Sequence, residues 1–278
     1  MKNRFSITMD EDIMSNLDSL IDGIHIRSRS EAIETIVKRF LEAHKIAVFL
    51  AGGDPEKLKL GNTYRPLAKV LGRPLLQYSI ENLRSAGFQN LYIIGRNEIV
   101  GEIFKEFGNG DELGVKITYV EEKKSLGEFK TLQNVENEIK SPFLMLQIDN
   151  YFTFDLNELF KAFTFNKGLM TLAVQAREDV ATRRGVVEML GSQITNFEEE
   201  PEEIKSTLAS TTMGICDPAI FNYIPKGNLK YTKKDLFPRL INENKLNGFM
   251  IRGPWFNIHD ESDIKKLEKF LKTKGVTK

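Results

Sequence analysis

Cysteine, histidine and tryptophan are scarce in this sequence, which limits the kinds of site it can contain. A single cysteine, Cys216, excludes an internal disulfide and any metal site built from several cysteines. The three histidines, His25, His44 and His259, share no spacing with carboxylates that indicates a metal site, so we expect them at surface or turn positions. We expect Cys216 to be a buried apolar residue and Trp255, the only tryptophan, to lie in the core or in the wall of a site.

Long apolar runs and an excess of charge of either sign are also absent. No run approaches the ~18 apolar residues that a membrane-spanning helix needs, and the N-terminus is too polar for a signal peptide. The 39 basic side chains equal the 39 acidic ones, and a hydrophobic content of 41% is typical of globular proteins. We therefore expect a cytoplasmic protein with no membrane partner and two domains, 1–44 and 45–278.

Residues 4–9 alternate strictly between polar and apolar side chains, which predicts a half-buried strand. The apolar face carries Phe5, Ile7 and Met9, and the polar face carries Arg4, Ser6 and Thr8. A first helix is predicted to begin after Asp10, a good N-cap, and to end near Gly23. A second helix is predicted to open at residues 28–31, where Ser-Arg-Ser-Glu forms a capping box.

One strand and two helices in residues 1–44 cannot bury a stable core alone. Two copies could pair their strands into an antiparallel ribbon, which would pack on four helices and fit the major groove of DNA. The element order, the alternation and the Ser-Arg-Ser-Glu-Ala opening at 28–32 resemble the ribbon-helix-helix family of DNA-binding proteins. The resemblance implies a homodimer or higher homo-oligomer that binds a palindromic operator in double-stranded DNA.

This resemblance also implies which residues would contact DNA. They are Arg4, Ser6 and Thr8 for the bases, the amides near Ser28, Arg29 and Ser30 for phosphate, and Lys2, Arg4, Arg27 and Arg29 as a basic strip. The strip matters because residues 1–44 contain six basic side chains against eight acidic ones, so the segment is not basic overall. The alternative is that residues 1–44 only dimerise the protein.

From residue 46 onward, strand patterns alternate with helical ones. Strands are predicted at 46–50, 91–94, 115–121, 143–149, 170–175, 185–190, 193–198, 211–216 and 247–253, and helices at 75–85, 98–107, 127–139 and 261–272. This order predicts an α/β domain with a mainly parallel sheet and helices on both faces. Ligands of such sheets bind beyond the carboxyl ends of the strands, which here are the Gly52-Gly53 and Asp149-Asn150 turns.

Several short motifs follow one another in this domain. They are Leu50-Ala51-Gly52-Gly53, Arg65-Pro66-Leu67, Gly72-Arg73-Pro74-Leu75-Leu76, Leu126-Gly127, Asp149, Gly185-Val186-Val187, Phe197-Glu198-Glu199-Glu200-Pro201 and Trp255-Phe256-Asn257-Ile258. In this order and spacing they resemble the sugar-phosphate nucleotidyltransferases, which join a nucleoside triphosphate to a sugar 1-phosphate and release pyrophosphate. The resemblance covers about residues 45–272 and implies the Rossmann-like sheet of that family.

The same resemblance implies roles for individual residues. A nucleotide or sugar nucleotide would be bound by Leu50, Ala51, Gly52, Gly53, Lys57, Arg65, Gly127, Asp149, Gly185 and Glu199. Lys57, Arg65 and Asp149 would be the catalytic residues of an active enzyme. Asp149, with Asn257 at the position of the family's second metal-binding aspartate, would form a weak Mg²⁺ site when a nucleotide is bound.

The sequence departs from the family's pattern at residues that do chemistry. After the Gly-Gly turn the family's motif continues to Gly-Thr-Arg, whereas this chain has Asp54-Pro55-Glu56-Lys57. Pro55 removes an amide donor, and the two carboxylates place negative charge beside a polyphosphate. Glu200 reverses the charge of a lysine that binds the sugar phosphate, and Asn257 replaces an aspartate. Arg65 in place of a lysine is a milder change.

Together the two halves predict a DNA-binding transcription regulator whose catalytically degraded nucleotidyltransferase-like domain binds a nucleotide or sugar nucleotide as effector. The first alternative is an active sugar-1-phosphate nucleotidyltransferase whose N-terminal segment dimerises it or autoregulates its gene. The second is a domain with a purely structural role in oligomerisation. The outward position of Arg4 favours the regulator, and the retention of Asp149, Lys57 and Arg65 favours the enzyme.

Overall fold

The computed structural model describes residues 6–43, 45–177 and 185–276, with side chains given for all of these except 38–43. The chain divides into two compact units, Met1–His44 and Lys45–Lys278. In the part of the chain that the structure describes, no helix combines the length and the apolar character needed to cross a membrane.

The first unit contains two helices, α1 (Glu11–Asp18) and α2 (Arg29–Ala43). They pack through Leu17 and Ala32, which are both buried. The described part of the strand predicted at 4–9 is not observed, since residues 6–10 have no regular structure. A ribbon strand takes its backbone hydrogen bonds from a second copy, and a single chain offers none. Lys2 and Arg4 lie outside the described residues.

The predicted capping box at the start of α2 is observed in part. The amide of Glu31 donates to Ser28 Oγ over 3.2 Å, but the Glu31 carboxylate accepts from the amide of Arg27, one residue earlier than expected. The Arg29 guanidinium binds both carboxylate oxygens of Asp18, at 2.6 and 2.7 Å. The Arg29 side chain therefore links α2 to α1.

The second unit alternates strands and helices through most of its length. Its helices are α3 (Leu75–Ser85), α4 (Asn97–Phe107), α5 (Glu128–Gln133), α6 (Leu156–Asn166), α7 (Lys233–Asn242) and α8 (Glu261–Thr273). Its strands are β1 (Ile46–Ala51), β2 (Lys59–Leu60), β3 (Thr63–Tyr64), β4 (Lys69–Val70), β5 (Arg73–Pro74), β6 (Asn90–Gly95), β7 (Lys116–Glu121), β8 (Phe143–Gln147), β9 (Asn150–Phe152), β10 (Met170–Ala176), β11 (Gly185–Leu190), β12 (Gln193–Glu199), β13 (Leu208–Cys216), β14 (Leu246–Met250) and β15 (Trp255–Asn257).

The main sheet has the strand order β10-β14-β12-β11-β13-β8-β1-β6-β7. Strands β8, β1, β6 and β7 are parallel, as predicted. The other half is mixed, because β13 pairs antiparallel to both β8 and β11, and β12 antiparallel to β11 and β14. The expectation of a mainly parallel sheet was therefore wrong for the second half of the domain, where the β11–β12 hairpin reverses the chain without a crossover helix.

Helices cover both faces of this sheet, as the alternation predicts. On one face α3, α4 and α6 bury Leu76, Ile103 and Leu159, and on the other α5 and α7 bury Phe129 and Phe237. Because helices cover both faces, a ligand can approach the sheet at the edge formed by the carboxyl ends of the parallel strands.

The predicted helix at 127–139 ends early, at Gln133. Asn134 ends it, because its side-chain amide donates to the backbone oxygens of Lys130 and Thr131 and so competes with the next helical hydrogen bonds. The last helix and the buried positions of Cys216 and Trp255 agree with the predictions.

Candidate functional site

The two predicted ligand-binding turns lie side by side at the carboxyl edge of the sheet. Leu50 of β1 is in register with Gln147 of the parallel strand β8, and the amide of Ile148 donates to the Leu50 oxygen over 3.2 Å. The Gly52-Gly53 turn and Asp149 therefore start from adjacent strand ends. Leu50 and Ala51 themselves are buried in the core, so their side chains serve the sheet rather than a ligand.

Glu122 and Thr131 hold the Gly52-Gly53 turn in place through hydrogen bonds. The amide of Gly53 donates to Glu122 Oε2 over 2.8 Å, and the Thr131 hydroxyl donates to the other Glu122 oxygen. A Cβ on Gly52 would lie 2.4 Å from Thr131 Oγ1, so a larger residue there would force Thr131 to shift. Sequence analysis missed Glu122, which is 1% exposed and directly follows β7.

Residues 54–57 form a compact turn beside the glycines. Pro55–Leu58 is a 3₁₀ helix whose N-cap is Asp54, and the Asp54 carboxylate accepts the amide of Glu56 over 3.1 Å. The amide of Lys57 donates to the Asp54 oxygen over 3.0 Å. Both amides are thus committed within the turn, while the Lys57 side chain is exposed.

Arg65 and Asp149 form a partly buried ion pair at the centre of the edge. Arg65 Nη1 lies 3.1 Å from Asp149 Oδ2 and 3.2 Å from His259 Nδ1. Burial raises the pKa of the Asp149 carboxyl above its usual range, and the positive charge of Arg65 opposes that rise. Strands β9 and β15 pair Asn150 with Asn257. Because Asn150 directly follows Asp149, this pairing brings Asn257 close to Asp149.

The residues at this cluster do not fit the Mg²⁺ ion that members of the family commonly use. Magnesium is held in proteins through one or two carboxylates together with substrate phosphates and water, but here the Asp149 carboxylate is already paired with Arg65, and Asn257 supplies only a neutral amide oxygen. Asn257 Oδ1 is buried and has no hydrogen-bond donor among the described residues. Within those residues, no group of three His, Cys, Asp or Glu side chains is arranged to hold a metal.

A second charged pair lies at the same edge of the sheet. Lys233 Nζ, at the start of α7, is 3.0 Å from Glu199 Oε2 at the end of β12. Glu199 is in register with Gly185, whose missing side chain leaves room for the Glu199 carboxylate. Glu200, by contrast, is exposed on a turn with φ +52°, so its negative charge lies on the surface of the edge.

Lys233 is held by the loop that contains Gly127. The amide of Lys233 donates to Glu128 Oε1 over 2.8 Å, and a Cβ on Gly127 would lie 2.5 Å from the Tyr231 oxygen. Glycine at 127 therefore lets the segment before α7 approach closely. Sequence analysis missed α7 and Lys233, although Thr232 and Asp235 form the capping box that marks the start of the helix.

Several curated proteins are similar in sequence to this chain. The chain is 28% identical to mannose-1-phosphate guanyltransferase 2 of Candida glabrata over 210 residues, 72% of this chain and 56% of that protein. It is 25% identical to the low-salt glycan biosynthesis nucleotidyltransferase Agl11 of Haloferax volcanii, over 82% of this chain and 68% of that protein. The chain spans about half the length of the first curated relatives it matches.

The fold has solved counterparts. A Bacillus anthracis protein assigned as a glucose-1-phosphate thymidylyltransferase, crystallised with sucrose, superposes with a TM-score of 0.73 at 24% identity, over 81% of this chain and 94% of that one. This likeness places the second unit in the mixed α/β nucleotidyltransferase fold.

These relatives contradict the hypothesis of a DNA-binding transcription regulator. They are sugar-1-phosphate nucleotidyltransferases, which fits the alternative of an active enzyme, and none of the comparisons supports a ribbon-helix-helix unit or a DNA partner. The strand alternation and capping box of residues 1–44 are local features of folding, and they do not specify DNA as a partner. The sequence profile for nucleotidyl transferases matches residues 46–274, and the chain therefore belongs to the nucleotidyl transferase family.

Proposed function

We propose that this protein is a sugar-1-phosphate nucleotidyltransferase. In the reaction a phosphate oxygen of the sugar 1-phosphate attacks the α-phosphorus of a nucleoside triphosphate. A new P–O bond forms, the bond from the α-phosphorus to the α,β-bridging oxygen breaks, and pyrophosphate leaves with the electron pair. The single observation that carries the proposal is that the glycine turn, Arg65 and Lys233 all lie along one edge of the sheet.

The nucleotide end of the site is the Gly52-Gly53 turn with Arg65. The open side of the turn is at Gly53, where a Cβ would meet only Ser125 Oγ at 3.9 Å, so a phosphate chain can approach the backbone closely there. Arg65 supplies a positive charge that stabilises the developing negative charge of the leaving pyrophosphate. The exposed ammonium of Lys57 adds a second cation on the neighbouring turn. Asp149 acts here by positioning Arg65, through the 3.1 Å ion pair.

The sugar-phosphate end is the Glu199–Lys233 pair. Glu199 is linked to β8 through the register of β12 with β11, β11 with β13 and β13 with β8. Ala209, the partner of Val186, precedes the stretch Gly214–Cys216 of β13 that pairs with β8, so Glu199 lies toward the carboxyl end of β8. We propose that a sugar 1-phosphate binds beside this pair. Lys233 supplies the positive charge for the phosphate of the sugar 1-phosphate, and Glu199 accepts a hydrogen bond from a sugar hydroxyl. Lys233 can thus take the role of the family's lysine, whose position is occupied here by Glu200.

We further propose that the first unit associates with a second copy of the chain. Ile13, Ile36 and Val37 are 52%, 44% and 48% exposed, which is unusual for three large apolar side chains in so small a unit. The double variant Ile36→Glu/Val37→Glu should lower the molecular mass of the full chain measured by sedimentation. An unchanged mass would contradict self-association through these side chains.

The test of the enzyme is product formation by the full chain. GTP, UTP, dTTP and ATP are each incubated with mannose 1-phosphate or glucose 1-phosphate, and nucleotide sugar is quantified by ion-exchange chromatography. We expect one pair to turn over within about a hundredfold of a typical rate of 10 per second. Arg65→Met should lower that rate by about a hundredfold or more, as when a stabilising donor is removed. Arg84→Met, which removes an exposed guanidinium on α3, is the matched control. No product from any pair would overturn the proposal.

A further inference from the structure

We infer that the site binds and transfers phosphates without a divalent cation, because Arg65 supplies the positive charge for which the family commonly uses Mg²⁺. This inference rests on the proposed function. It follows from the disagreement between the donor set of the cluster and the requirements of magnesium.

A cation at this cluster would have to displace a guanidinium. The side chains of Arg65 and Asp149 are 16% and 9% exposed, and their 3.1 Å contact neutralises a carboxylate that has little access to water. Breaking a buried ion pair from one side leaves an uncompensated charge, which is strongly unfavourable. Asn257 offers no second carboxylate to offset that loss.

Arg65 also keeps donors for a ligand. The guanidinium has five N–H groups, and the contacts to Asp149 and His259 both involve Nη1. Its Nε is buried and has no acceptor among the described residues. An unpaired buried donor on a charged group indicates a missing acceptor, and phosphate oxygens match the planar fork of arginine.

The alternatives make opposite predictions for Asp149. If Asp149 binds a metal, Asp149→Asn removes the carboxylate that holds it and should abolish turnover. If Asp149 positions Arg65, asparagine keeps an oxygen that accepts from Nη1, and turnover should fall by less than it does in Arg65→Met. Arg65→Met should instead abolish it.

The experiment compares the full chain in excess EDTA and in Mg²⁺, with two measurements. The first is nucleotide sugar formation from the best substrate pair, and the second is calorimetric titration with inorganic pyrophosphate, the product of the proposed reaction. We expect equal rates in the two buffers. We also expect pyrophosphate binding in EDTA that is lost in Arg65→Met, weakened but still measurable in Asp149→Asn and unchanged in Arg84→Met.

The outcomes separate this inference from the proposed function. A fall in rate of about a hundredfold or more in EDTA, the size expected on losing a stabilising charge, overturns the inference and leaves the enzyme intact. The inference is also overturned if Asp149→Asn loses all turnover while the wild type turns over fully in Mg²⁺. Pyrophosphate binding in EDTA that depends on Arg65, without product in either buffer, supports the inference and overturns the proposed function.

Discussion

Lys233 Nζ lies 3.0 Å from Glu199 Oε2, although the two residues belong to different elements, α7 and β12. The side chains are 20% and 17% exposed, so each charge depends on the other for compensation. The contact does not have hydrogen-bond geometry, since Glu199 Oε2 has no hydrogen-bond donor among the described residues. The ammonium therefore keeps N–H donors for a ligand.

Replacing Lys233 should weaken the binding of sugar 1-phosphate. We expect Lys233→Met to raise KM for that substrate by about tenfold or more, the effect of losing one charge-assisted hydrogen bond, with a smaller change in KM for the nucleotide. Lys233→Arg should recover part of the loss. Lys234→Met, which removes the exposed neighbour, is the matched control. Equal changes in both KM values would place Lys233 outside the sugar-phosphate end.

Gly52→Ala should destabilise the second unit. Its Cβ would lie 2.4 Å from Thr131 Oγ1 and 2.8 Å from Glu122 Oε1, so we expect a loss of about 1–3 kcal/mol in the free energy of unfolding. Urea unfolding measures this loss. Gly101→Ala, in α4 with open space around its Cβ, is the control and should gain about 0.5–1 kcal/mol. If Gly52→Ala is as stable as the wild type, the turn is looser than described.

Glu243 should make stability depend on pH in the acid range. Its hydrogen bonds with Lys245 and Tyr223 lower the pKa of its carboxyl from 4.5 to about 2. Because the folded pKa is depressed, the stabilisation is fully present above about pH 4.5 and is lost as the pH falls toward 2. The difference in free energy of unfolding between wild type and Glu243→Gln should shrink over that window.

Urea unfolding at a series of pH values measures that difference. Glu203→Gln, which alters an exposed carboxylate on the turn after β12, is the matched control. A difference for Glu243→Gln that stays constant from pH 5 to pH 2, or one that widens as the pH falls, would show that the Glu243 cluster does not form in solution.

Cys216 should be unreactive in the folded protein. The thiol is fully buried at the end of β13, and burial raises its pKa well above the usual range, so very little thiolate forms at neutral pH. Native protein should not react with a maleimide, and one label per chain should appear in denaturant. Rapid labelling under native conditions would mean that this strand end opens readily.

Local patterns in the sequence predicted much of the fold. The strands of the parallel half and the helices α3, α4 and α8 follow from periodicity and from caps within a few residues, because those interactions are local. The Gly52-Gly53 turn and Asp149 were placed at one edge by the rule for parallel strand ends. The same local patterns predicted a regulator from residues 1–44, and that function was wrong because alternation and capping do not identify a partner.

The chemistry of the site was decided by contacts between distant segments. Arg65 meets Asp149 across 84 residues of sequence, and Gly53 meets Glu122 across 69. Sequence alone determined which residues end the parallel strands, because periodicity and turn formation depend on residues that are neighbours in the sequence. Only the tertiary structure decided that Arg65 pairs with the Asp149 carboxylate, which was expected to bind metal, and that Lys233 lies beside Glu199. The first pair depends on how the segment before β4 packs against the end of β8, and the second on how α7 packs against β12, and no local pattern contains that packing.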